Sequence, residues 1–498
     1  MIALKTIGDL NRLRQILTAF VEGGFAYYIK KLKLNHCLSL SCRIKCFFKG
    51  VSSCPEEDLP KKFRLIVEKL GPTFIKIGQI LSVRPDFIPV EYTEELKKLQ
   101  DQVPSFEYSE AKKIIEEELK KPISKIFKTF EKKPIAAASL AQVHKAVLKN
   151  GKIVALKVQR PNIKEIIEKD LRIISFLAGL LEKYVPESRN FRPSAAAEEF
   201  ANYTLKELDF NIEGKNADRF RYNFNGEKGI KVPKIYWDFT TSKVLTMEFI
   251  EGVKMGDHEG MKRIKVNHKI LAKNCYRACS ESVFIHGFFH ADPHPGNVWV
   301  LKNNIVCYLD FGIVGVMTKD IKRKMLLFLK SMLDKEVDSS LRHLLDIAEI
   351  GEVSDVEAFK KEATEIIISL HIDSTKKQTF AKTFYKIISN AAKFNIIFPS
   401  NMILLAKSMV TGETMCKMTH PDYDLIESSK PVIRRIFDEE FGSKKILQSY
   451  QENWPELLEI IQKLPNFLIT LMKKLEEGKF NIHIEDKKGN KTFSVNNI

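Results

Sequence analysis

The sequence predicts an α+β fold in which a small lobe built on a β-sheet is followed by a larger helical lobe. Residues 126–160 and 231–252 show the alternation of apolar and polar residues that is typical of strands. The first of these stretches contains an Asn150-Gly151 turn that suits a β-hairpin. Most of the remaining chain carries apolar residues at helical spacing, so we expect helices both before and after the sheet lobe in the sequence.

Length and composition indicate a folded protein with several compact units. The chain has 498 residues, of which 44% are hydrophobic and 29% are charged, and such a length corresponds to about two to four units. We expect a division into a helical N-terminal segment, a helical extension, a sheet lobe, a helical lobe and a helical tail: 1–58, 59–125, 126–252, 253–440 and 441–498.

The charge balance predicts attraction to polyanions. The chain carries 80 Lys and Arg residues against 63 Asp and Glu residues, which gives a net charge of +17. Anionic lipid, nucleic acid and nucleotide phosphate all fit this charge, and so does a lysine-rich surface that is merely solvated. We do not expect nucleic-acid binding, because no basic motif interleaved with aromatic residues is found.

The sequence contains no stretch of about 18 apolar residues that would predict a transmembrane helix. The stretch "LPNFLITLM" at 464–472 has about half that length. Residues 13–34 combine a helical apolar pattern with lysines, so this segment either lies on a membrane surface or docks on its own protein.

The eight cysteines favour a reducing cytoplasm, because no secretory signal sequence or disulfide framework accompanies them. Cys37, Cys42, Cys46 and Cys54 lie close together beside His36. Their spacing matches neither a zinc ribbon nor a ferredoxin cluster, so ordinary thiols are favoured over a metal site.

The stretch "LGPTFIKIGQIL" at 70–81 predicts a helix that begins near Pro72. Lys76 and Gln79 are three residues apart and therefore neighbours on its surface. Gly78 between them is unfavourable inside a helix, so either another part of the chain approaches closely or the helix tolerates the glycine.

Two features of the sheet lobe suit the binding of nucleotide phosphates. "VALKV" places Lys157 on the second strand of the hairpin, where its ammonium could reach phosphates, although an exposed strand lysine gives the same pattern. Downstream, "KELDFNIEGKN" places Glu207, Asp209 and Glu213 on a predicted helix. One of these acids could face Lys157, or all three could lie on a solvated helix surface.

The octet "HADPHPGN" at 290–297 has the spacing of a kinase catalytic loop, with Asp292 and Asn297 five residues apart and His290 two before the aspartate. Asp292 would orient or deprotonate an acceptor hydroxyl, and Asn297 would bind Mg²⁺. Asp310 of "LDFG" follows eighteen residues after Asp292 as a second metal ligand. Direct zinc or iron binding by His290, Asp292 and His294, or a turn without function, leaves the Asp-Phe-Gly triplet unexplained.

The segment that should cover the nucleotide departs from the kinase pattern. Kinases use a glycine-rich loop there, whereas "IAAASLAQVHKA" places Ala136, Ala137 and Ala138 before Ser139. Their methyl groups restrict the backbone, so the nucleotide must be held differently and phosphorylation of proteins is disfavoured.

In combination, these motifs resemble the UbiB (AarF, ABC1-type) group of atypical protein-kinase-like proteins tied to ubiquinone and other isoprenoid-quinone metabolism. The resemblance covers roughly residues 60–330 and rests on "KIGQ", "SVRPDFIP", "AAAS", "VALK", "ELD", "HADPHPGN" and "LDFG". It implies a bilobal protein-kinase-like fold with a helical N-terminal extension and a helical C-terminal tail. The implied cofactors are ATP and Mg²⁺.

The resemblance also implies a role for each candidate residue, including an ion pair between Glu207 and Lys157. The implied catalytic residues are Asp292, Lys157 and Glu207. The implied nucleotide-binding residues are Ala136, Ala137, Ala138, Ser139, Lys157 and Glu248, and the implied metal ligands are Asn297 and Asp310. The residues implied to gate the mouth of the site, where a substrate would dock, are Lys76, Gly78, Gln79 and Asp209.

The function implied is an ATP- and Mg²⁺-dependent kinase or ATPase that supports isoprenoid-quinone synthesis. Many relatives end in apolar spans, whereas this chain ends in "KTFSVNNI", so peripheral attachment to the inner face of the cell membrane is expected. Expected partners are anionic lipid, quinone-biosynthesis enzymes or a polyprenyl-phenol lipid, and a second copy of the chain. Alternatives are a nucleotide-binding scaffold without turnover and a small-molecule kinase of the aminoglycoside or choline type, whose loop is similar but which lacks "KIGQ".

Overall fold

The computed structural model describes residues 7–38, 59–82, 84, 87–99, 104–372, 379–423 and 425–442, and short pieces between 458 and 494. Cys42, Cys46 and Cys54 and most of the predicted tail lie outside the described residues. Residues 1–430 form one compact unit and residues 431–498 form another. The finer segment boundaries given above stay predictions.

Helices precede the first sheet. Their order is α1 (Ile7–Glu22), α2 (Ala26–Lys31), α3 (Leu59–Leu70), α4 (Pro72–Leu81), α5 (Val90–Leu96), α6 (Tyr108–Leu119) and α7 (Ile123–Ile126). The apolar faces of α1 and α2 are buried in a core that includes Leu13, Ile16 and Ile29 together with Val67 of α3. The amphipathic segment 13–34 therefore docks on its own protein, although Tyr27 is exposed.

Gly78 lies on the buried side of α4, where the chain packs closely. A Cβ atom at this position would overlap the side chain of Leu99 and would lie 3.0 Å from Cγ1 of Val67. The glycine is therefore required by a close approach, which was one of the two explanations drawn from the sequence.

The first sheet contains the predicted hairpin. Its strands are β1 (Phe127–Phe130), β2 (Ala136–Ala137), β3 (Ala141–Leu148), β4 (Ile153–Gln159) and β6 (Val244–Glu248). They pair antiparallel in the order β1-β3-β4-β6, with β2 added to β3. Lys157 on β4 stands opposite Val143 and Leu245, so the lysine is held on a central strand.

The acidic stretch after the sheet forms two helices, where the sequence predicted one. After α8 (Ile163–Tyr184), the chain forms α9 (Pro193–Glu207) and α10 (Phe210–Asn223). Asp209 is the N-cap of α10, because its Oδ1 accepts a hydrogen bond of 3.0 Å from the Asn211 amide. Glu207 thus ends one helix, whereas Glu213 lies in the first turn of the next.

A second sheet carries the octet and the Asp-Phe-Gly triplet. Four strands lie in the order β5-β10-β9-β7 and two more pair as β8-β11. The strands are β5 (Ile230–Lys231), β7 (Val253–Lys254), β8 (Phe288–His290), β9 (Val298–Leu301), β10 (Ile305–Tyr308) and β11 (Val314–Val316). Between β7 and β8 lie α11 (His258–Arg263) and α12 (His268–Phe284).

The described residues beyond β11 are mostly helical, as predicted, and the fold is α+β. It consists of α13 (Lys319–Leu333), α14 (Val337–Leu345), β12 (Glu349–Ile350), α15 (Val356–Ile372), α16 (Phe380–Asn390), β13 (Ile396–Ile397), α17 (Ser400–Thr419) and α18 (Leu425–Phe441), then the pair β14 (Asn481–Ile482) and β15 (Phe493–Ser494). α17 packs against α12 and α16. None of the described helices combines the length and apolarity needed to cross a membrane.

Candidate active site

Two loops at the ends of the second set of strands bring Asp292, Asn297 and Asp310 together. Asp292 follows β8, Asn297 immediately precedes β9, and Asp310 follows β10. The Leu309 amide donates to the Asn297 carbonyl at 3.0 Å, and the Ala291 amide donates to the Ile313 carbonyl at 3.1 Å. The hairpin register therefore fixes the two loops side by side.

Lys157 joins the first sheet to these loops. Its Nζ lies 3.2 Å from Oδ2 of Asp310 and 2.9 Å from each carboxylate oxygen of Glu213. The lysine is therefore not a solvated strand residue. The partner on the neighbouring helix is Glu213 and not Glu207, which corrects the expected ion pair, because the break at Asp209 starts a new helix that presents Glu213 to β4.

Burial and charge set the protonation of this group. Burial lowers the pKa of the Lys157 ammonium, but Asp310 and Glu213 outweigh burial and raise it overall. Burial raises the pKa of Asp310, yet Lys157 and the Gly312 amide hold that pKa well below its usual range. Burial raises the pKa of Glu213 to about 7 in spite of Lys157. Asp310 therefore stays ionised, and Glu213 takes up a proton first as the pH falls.

A second ion pair brings α4 to the same place. Nζ of Lys76 lies 2.8 Å from Oε1 of Glu207, and both side chains are largely buried. A Cβ atom on Gly312 would lie 3.6 Å from that same oxygen, so the pair sits beside the Asp-Phe-Gly loop. Gln79 continues the helix, and its carbonyl accepts a hydrogen bond from the Ser82 hydroxyl at 2.6 Å. The gating role of this helix stays a prediction.

Asp292 has an ion-pair partner that the sequence did not reveal. Nζ of Lys407 on α17 lies 2.7 Å from Oδ1 of Asp292. Burial raises the pKa of Asp292, but Lys407 and the neighbouring histidines outweigh burial and lower it overall. The next residue, Ser408, donates its hydroxyl to the His290 carbonyl at 2.8 Å. α17 therefore contacts the octet at both the aspartate and the first histidine.

The histidines of the octet shape its backbone. Nδ1 of His290 accepts a hydrogen bond of 3.1 Å from the Asp292 amide, and Nδ1 of His294 accepts one of 3.1 Å from the Gly296 amide. Within the part of the chain that the structure describes, no group of three or more His, Cys, Asp or Glu residues is arranged to hold a metal ion. The geometry gives no support to direct zinc or iron binding by the octet.

The alanine segment forms a tight turn at the edge of the first sheet. Ala136 and Ala137 pair with β3, and the Ala138 amide donates to the Ala141 carbonyl at 2.8 Å. Nε of Arg160 donates to the Ala138 carbonyl at 3.0 Å, which anchors the turn. Ser139 is buried within it.

Glu248, at the end of β6, does not join this cluster. Its carboxylate lies 2.5 Å from Nζ of Lys231 and also accepts a hydrogen bond from the Lys234 amide. Among the contacts of the described residues, none connects the Glu248 side chain to Lys157 or Asp310. Its predicted nucleotide-binding role stays a prediction.

The residues at the loop edge fit a magnesium-bound nucleotide. Mg²⁺ prefers carboxylate and amide oxygens together with phosphate oxygens. Asp310 offers an ionised carboxylate, and Asn297 donates its Nδ2 to the Asp292 carbonyl at 3.3 Å, so its amide oxygen remains an acceptor. The Lys157 ammonium contacts Oδ2 of Asp310 and suits phosphate binding.

Sequence reasoning missed several residues that build the site. Asn216 of α10 donates its Nδ2 to the Phe311 carbonyl at 3.0 Å, and Arg160 holds the alanine turn. Lys407 and Ser408 hold the octet. The Asp209 capping signal could have revealed the helix break, but nothing near Lys407 in the sequence points to Asp292.

The class of protein that this arrangement defines is kinase-like, because a lysine of one sheet meets the Asp-Phe-Gly aspartate beside an Asp and an Asn spaced as in a kinase loop. Comparison with known families agrees. Residues 98–344 match the ABC1 atypical kinase-like domain, and residues 364–424 match the UbiB helical domain. The chain belongs to the ABC1/UbiB family of atypical kinase-like proteins.

Relatives resemble most of the chain. A Marinobacter nauticus protein named "Probable protein kinase UbiB" is 33% identical over 82% of this chain and 75% of its own length. The Arabidopsis thaliana chloroplastic protein ACTIVITY OF BC1 COMPLEX KINASE 7 is 34% identical over 80% of this chain, and the Synechocystis protein sll1770 is 35% identical over 75%. The chain spans 56% of the Arabidopsis protein and 64% of sll1770.

Proposed function

We propose that the protein is an ATP- and Mg²⁺-dependent atypical kinase or ATPase that supports the synthesis of ubiquinone or another isoprenoid quinone. The observation that carries this proposal is the contact of Lys157 with Asp310, next to the loop that holds Asp292 and Asn297. Phosphoryl transfer depends mainly on positioning and on charge stabilisation, and these groups supply both.

Each residue has a distinct task in this proposal. The Lys157 ammonium binds the nucleotide phosphates, and the oxygens of Asp310 and Asn297 would hold the metal. Bound Mg²⁺ supplies positive charge to the phosphate oxygens. Asp292 orients the acceptor hydroxyl or water and accepts its proton while the acceptor oxygen bonds to the γ-phosphorus and ADP leaves.

The ion pair between Lys76 and Glu207 supports the proposal that few kinds of phosphoryl acceptor can reach the site. It places α4 beside Gly312, next to the residues that would bind nucleotide and metal. We infer that α4 restricts access, with Gly78 packing the helix tightly, Gln79 on the same helix, and Asp209 two residues beyond the Glu207 partner of Lys76. Together with the alanine turn, this restriction favours a small molecule or a lipid over a protein as the acceptor.

The proposed setting is the inner face of the cell membrane. The net charge of +17 favours contact with anionic lipid, and several relatives carry the name UbiB. The proposed partners are anionic lipid, a polyprenyl-phenol lipid or the enzymes that make quinones, and a second copy of the chain.

The direct test is steady-state ATP hydrolysis with and without anionic vesicles or a phenolic polyprenyl mimic. We expect turnover that these additions stimulate and that falls about 100-fold or more in Asp310→Asn, because the metal loses its ionised ligand. Asp238→Asn, at an exposed aspartate, is the matched control and should keep wild-type turnover.

Two results would contradict the proposal. Equal rates for the wild type and Asp310→Asn would mean that the hydrolysis has another source. The second result would be that nucleotide stabilises the wild type against heat, while the wild type forms no more product than Lys157→Ala. This result would identify a nucleotide-binding scaffold.

A further inference from the structure

The catalytic-loop candidate Asp292 is held by a helix from outside the kinase-like region. Lys407 and Ser408 lie on α17, within residues 364–424 that match the UbiB helical domain, whereas Asp292 lies within residues 98–344. Consecutive residues of α17 therefore contact the octet, one at the Asp292 carboxylate and one at the His290 carbonyl.

The other buried lysines of the site have different partners. Lys157 contacts Glu213 and Asp310, and Lys76 contacts Glu207. Among the ion pairs of the described residues, the one at hydrogen-bonding distance from Asp292 is that with Lys407, at 2.7 Å. The other basic side chain paired with Asp292 in that set is His294, whose Nε2 lies 3.9 Å from Oδ2.

The Lys407 contact is made to one carboxylate oxygen of Asp292. Lys407 contacts Oδ1, and the Asp292 side chain remains about one-third exposed. Oδ2 of Asp292 can thus accept a hydrogen bond from the hydroxyl of a phosphoryl acceptor. A carboxylate fixed at one oxygen has a defined orientation at the other, which is what a base that must meet a hydroxyl requires.

We infer that Lys407 is a positioning residue for phosphoryl transfer, which orients Asp292 from outside the kinase-like region. The inference rests on the proposed function and adds to it a requirement for α17. Lys407 itself exchanges no group: the acceptor proton passes to Asp292, the acceptor oxygen bonds to the γ-phosphorus, and the bond from that phosphorus to the leaving ADP oxygen breaks.

The test compares Lys407→Met with Lys407→Arg and with Lys386→Met, an exposed lysine of α16 in the same helical region. In ATP hydrolysis, we expect kcat of Lys407→Met to fall about 10- to 100-fold with little change in KM for ATP, because Asp292 loses its orientation and Lys157 does not. Lys407→Arg should restore part of kcat, and Lys386→Met should match the wild type.

The split between kcat and KM, together with the rescue by arginine, separates positioning from mere stabilisation of the fold. Lys407 contacts Asp292 and does not contact Lys157, so its removal should lower kcat and leave KM for ATP nearly unchanged. We expect this split in Lys407→Met and not in Lys386→Met. A folded Lys407→Met protein with wild-type kcat, or with a KM for ATP that rises as kcat falls, overturns the inference.

A double-mutant cycle in thermal unfolding, with Asp292→Asn as the second change, needs no turnover. Energetic coupling between the two positions together with a lowered kcat at unchanged KM supports the inference, and absence of coupling overturns it. If the wild type hydrolyses no ATP, the proposed function fails, and coupling in unfolding would then assign the pair a structural role instead of a role in transfer.

Discussion

At the scale of single residues, Lys157 is shared by two carboxylates that differ in proton affinity. Asp310 keeps its charge because Lys157 and the Gly312 amide stabilise the carboxylate. At Glu213, burial outweighs the attraction of Lys157 and raises the pKa to about 7. Near neutral pH, the lysine is therefore balanced mainly by Asp310, and Glu213 is poised between its two protonation states.

This raised pKa predicts a pH dependence of stability. Folded Glu213 binds its proton more tightly than the unfolded chain, whose pKa is near 4.5, so its contribution to the free energy of unfolding is full below about pH 4.5. The contribution is lost as the pH rises to about 7. In Glu213→Gln, we expect this decline to disappear from urea unfolding measured between pH 4.5 and 8.

Glu251→Gln, at an exposed glutamate three residues beyond the first sheet, is the matched control and should keep the wild-type decline. If the two variants showed the same pH dependence, Glu213 would not be the titrating group.

The sequence located those site residues whose spacing within one motif fixes their chemistry. Lys157 of "VALKV", Asp292 and Asn297 of the octet, and Asp310 of "LDFG" are local patterns, and the structure brings them together. The partner of Lys157 was not predictable in this way, because it depends on where a helix ends. Lys407 is 115 residues from Asp292, and only tertiary packing joins them.

At the scale of elements, the break between α9 and α10 decides which acid meets Lys157. Asp209 accepts the hydrogen bond of the Asn211 amide at the start of α10. Removing this cap in Asp209→Ala should lower the free energy of unfolding by about 1 kcal/mol, measured by urea denaturation. Asp209→Asn should retain most of the stability, because asparagine also caps helices. Equal losses in both variants would show that charge and not capping matters.

Two helical glycines, one of them on the closely packed α4, should respond to alanine with opposite changes in stability. Gly78→Ala adds a methyl group that overlaps Leu99, so we expect a loss of about 1 to 3 kcal/mol. Gly179→Ala on α8 has nothing within 4 Å of the added atom, so it should gain up to about 1 kcal/mol from helix propensity. Thermal unfolding of both variants measures the difference, and a shift of the same sign in both would refute the packing argument.

At the scale of the whole molecule, two crossed ion pairs tie the N-terminal extension to α8. Nε of Arg12 lies 2.8 Å from Oδ1 of Asp170, and Nη2 of Arg172 lies 3.0 Å from Oδ1 of Asp9. Both aspartates are buried. In each pair, one helix supplies the aspartate and the other supplies the arginine. This arrangement fixes how α1 lies on α8 and, through α4, where Lys76 reaches the site.

The crossed pairs predict a large cost for losing one arginine. Arg12→Met leaves Asp170 buried without this partner, so we expect the free energy of unfolding to fall by about 3 to 5 kcal/mol. The control is Lys31→Met, which removes the surface pair with exposed Glu187 and should cost less than about 1 kcal/mol. Chemical denaturation measures both, and similar small losses would mean that α1 is held by apolar contacts alone.

The same site draws side chains from α4, from the sheets and from α17. None of these three regions can therefore be replaced alone by the corresponding region of a relative. A chimera that takes its helical region from a relative would have to bring matching partners for Asp292 and the His290 carbonyl. A fragment confined to residues 98–344 would lack both Lys76 and Lys407. The ion pairs therefore require the stretch from α4 to α17 to be present together.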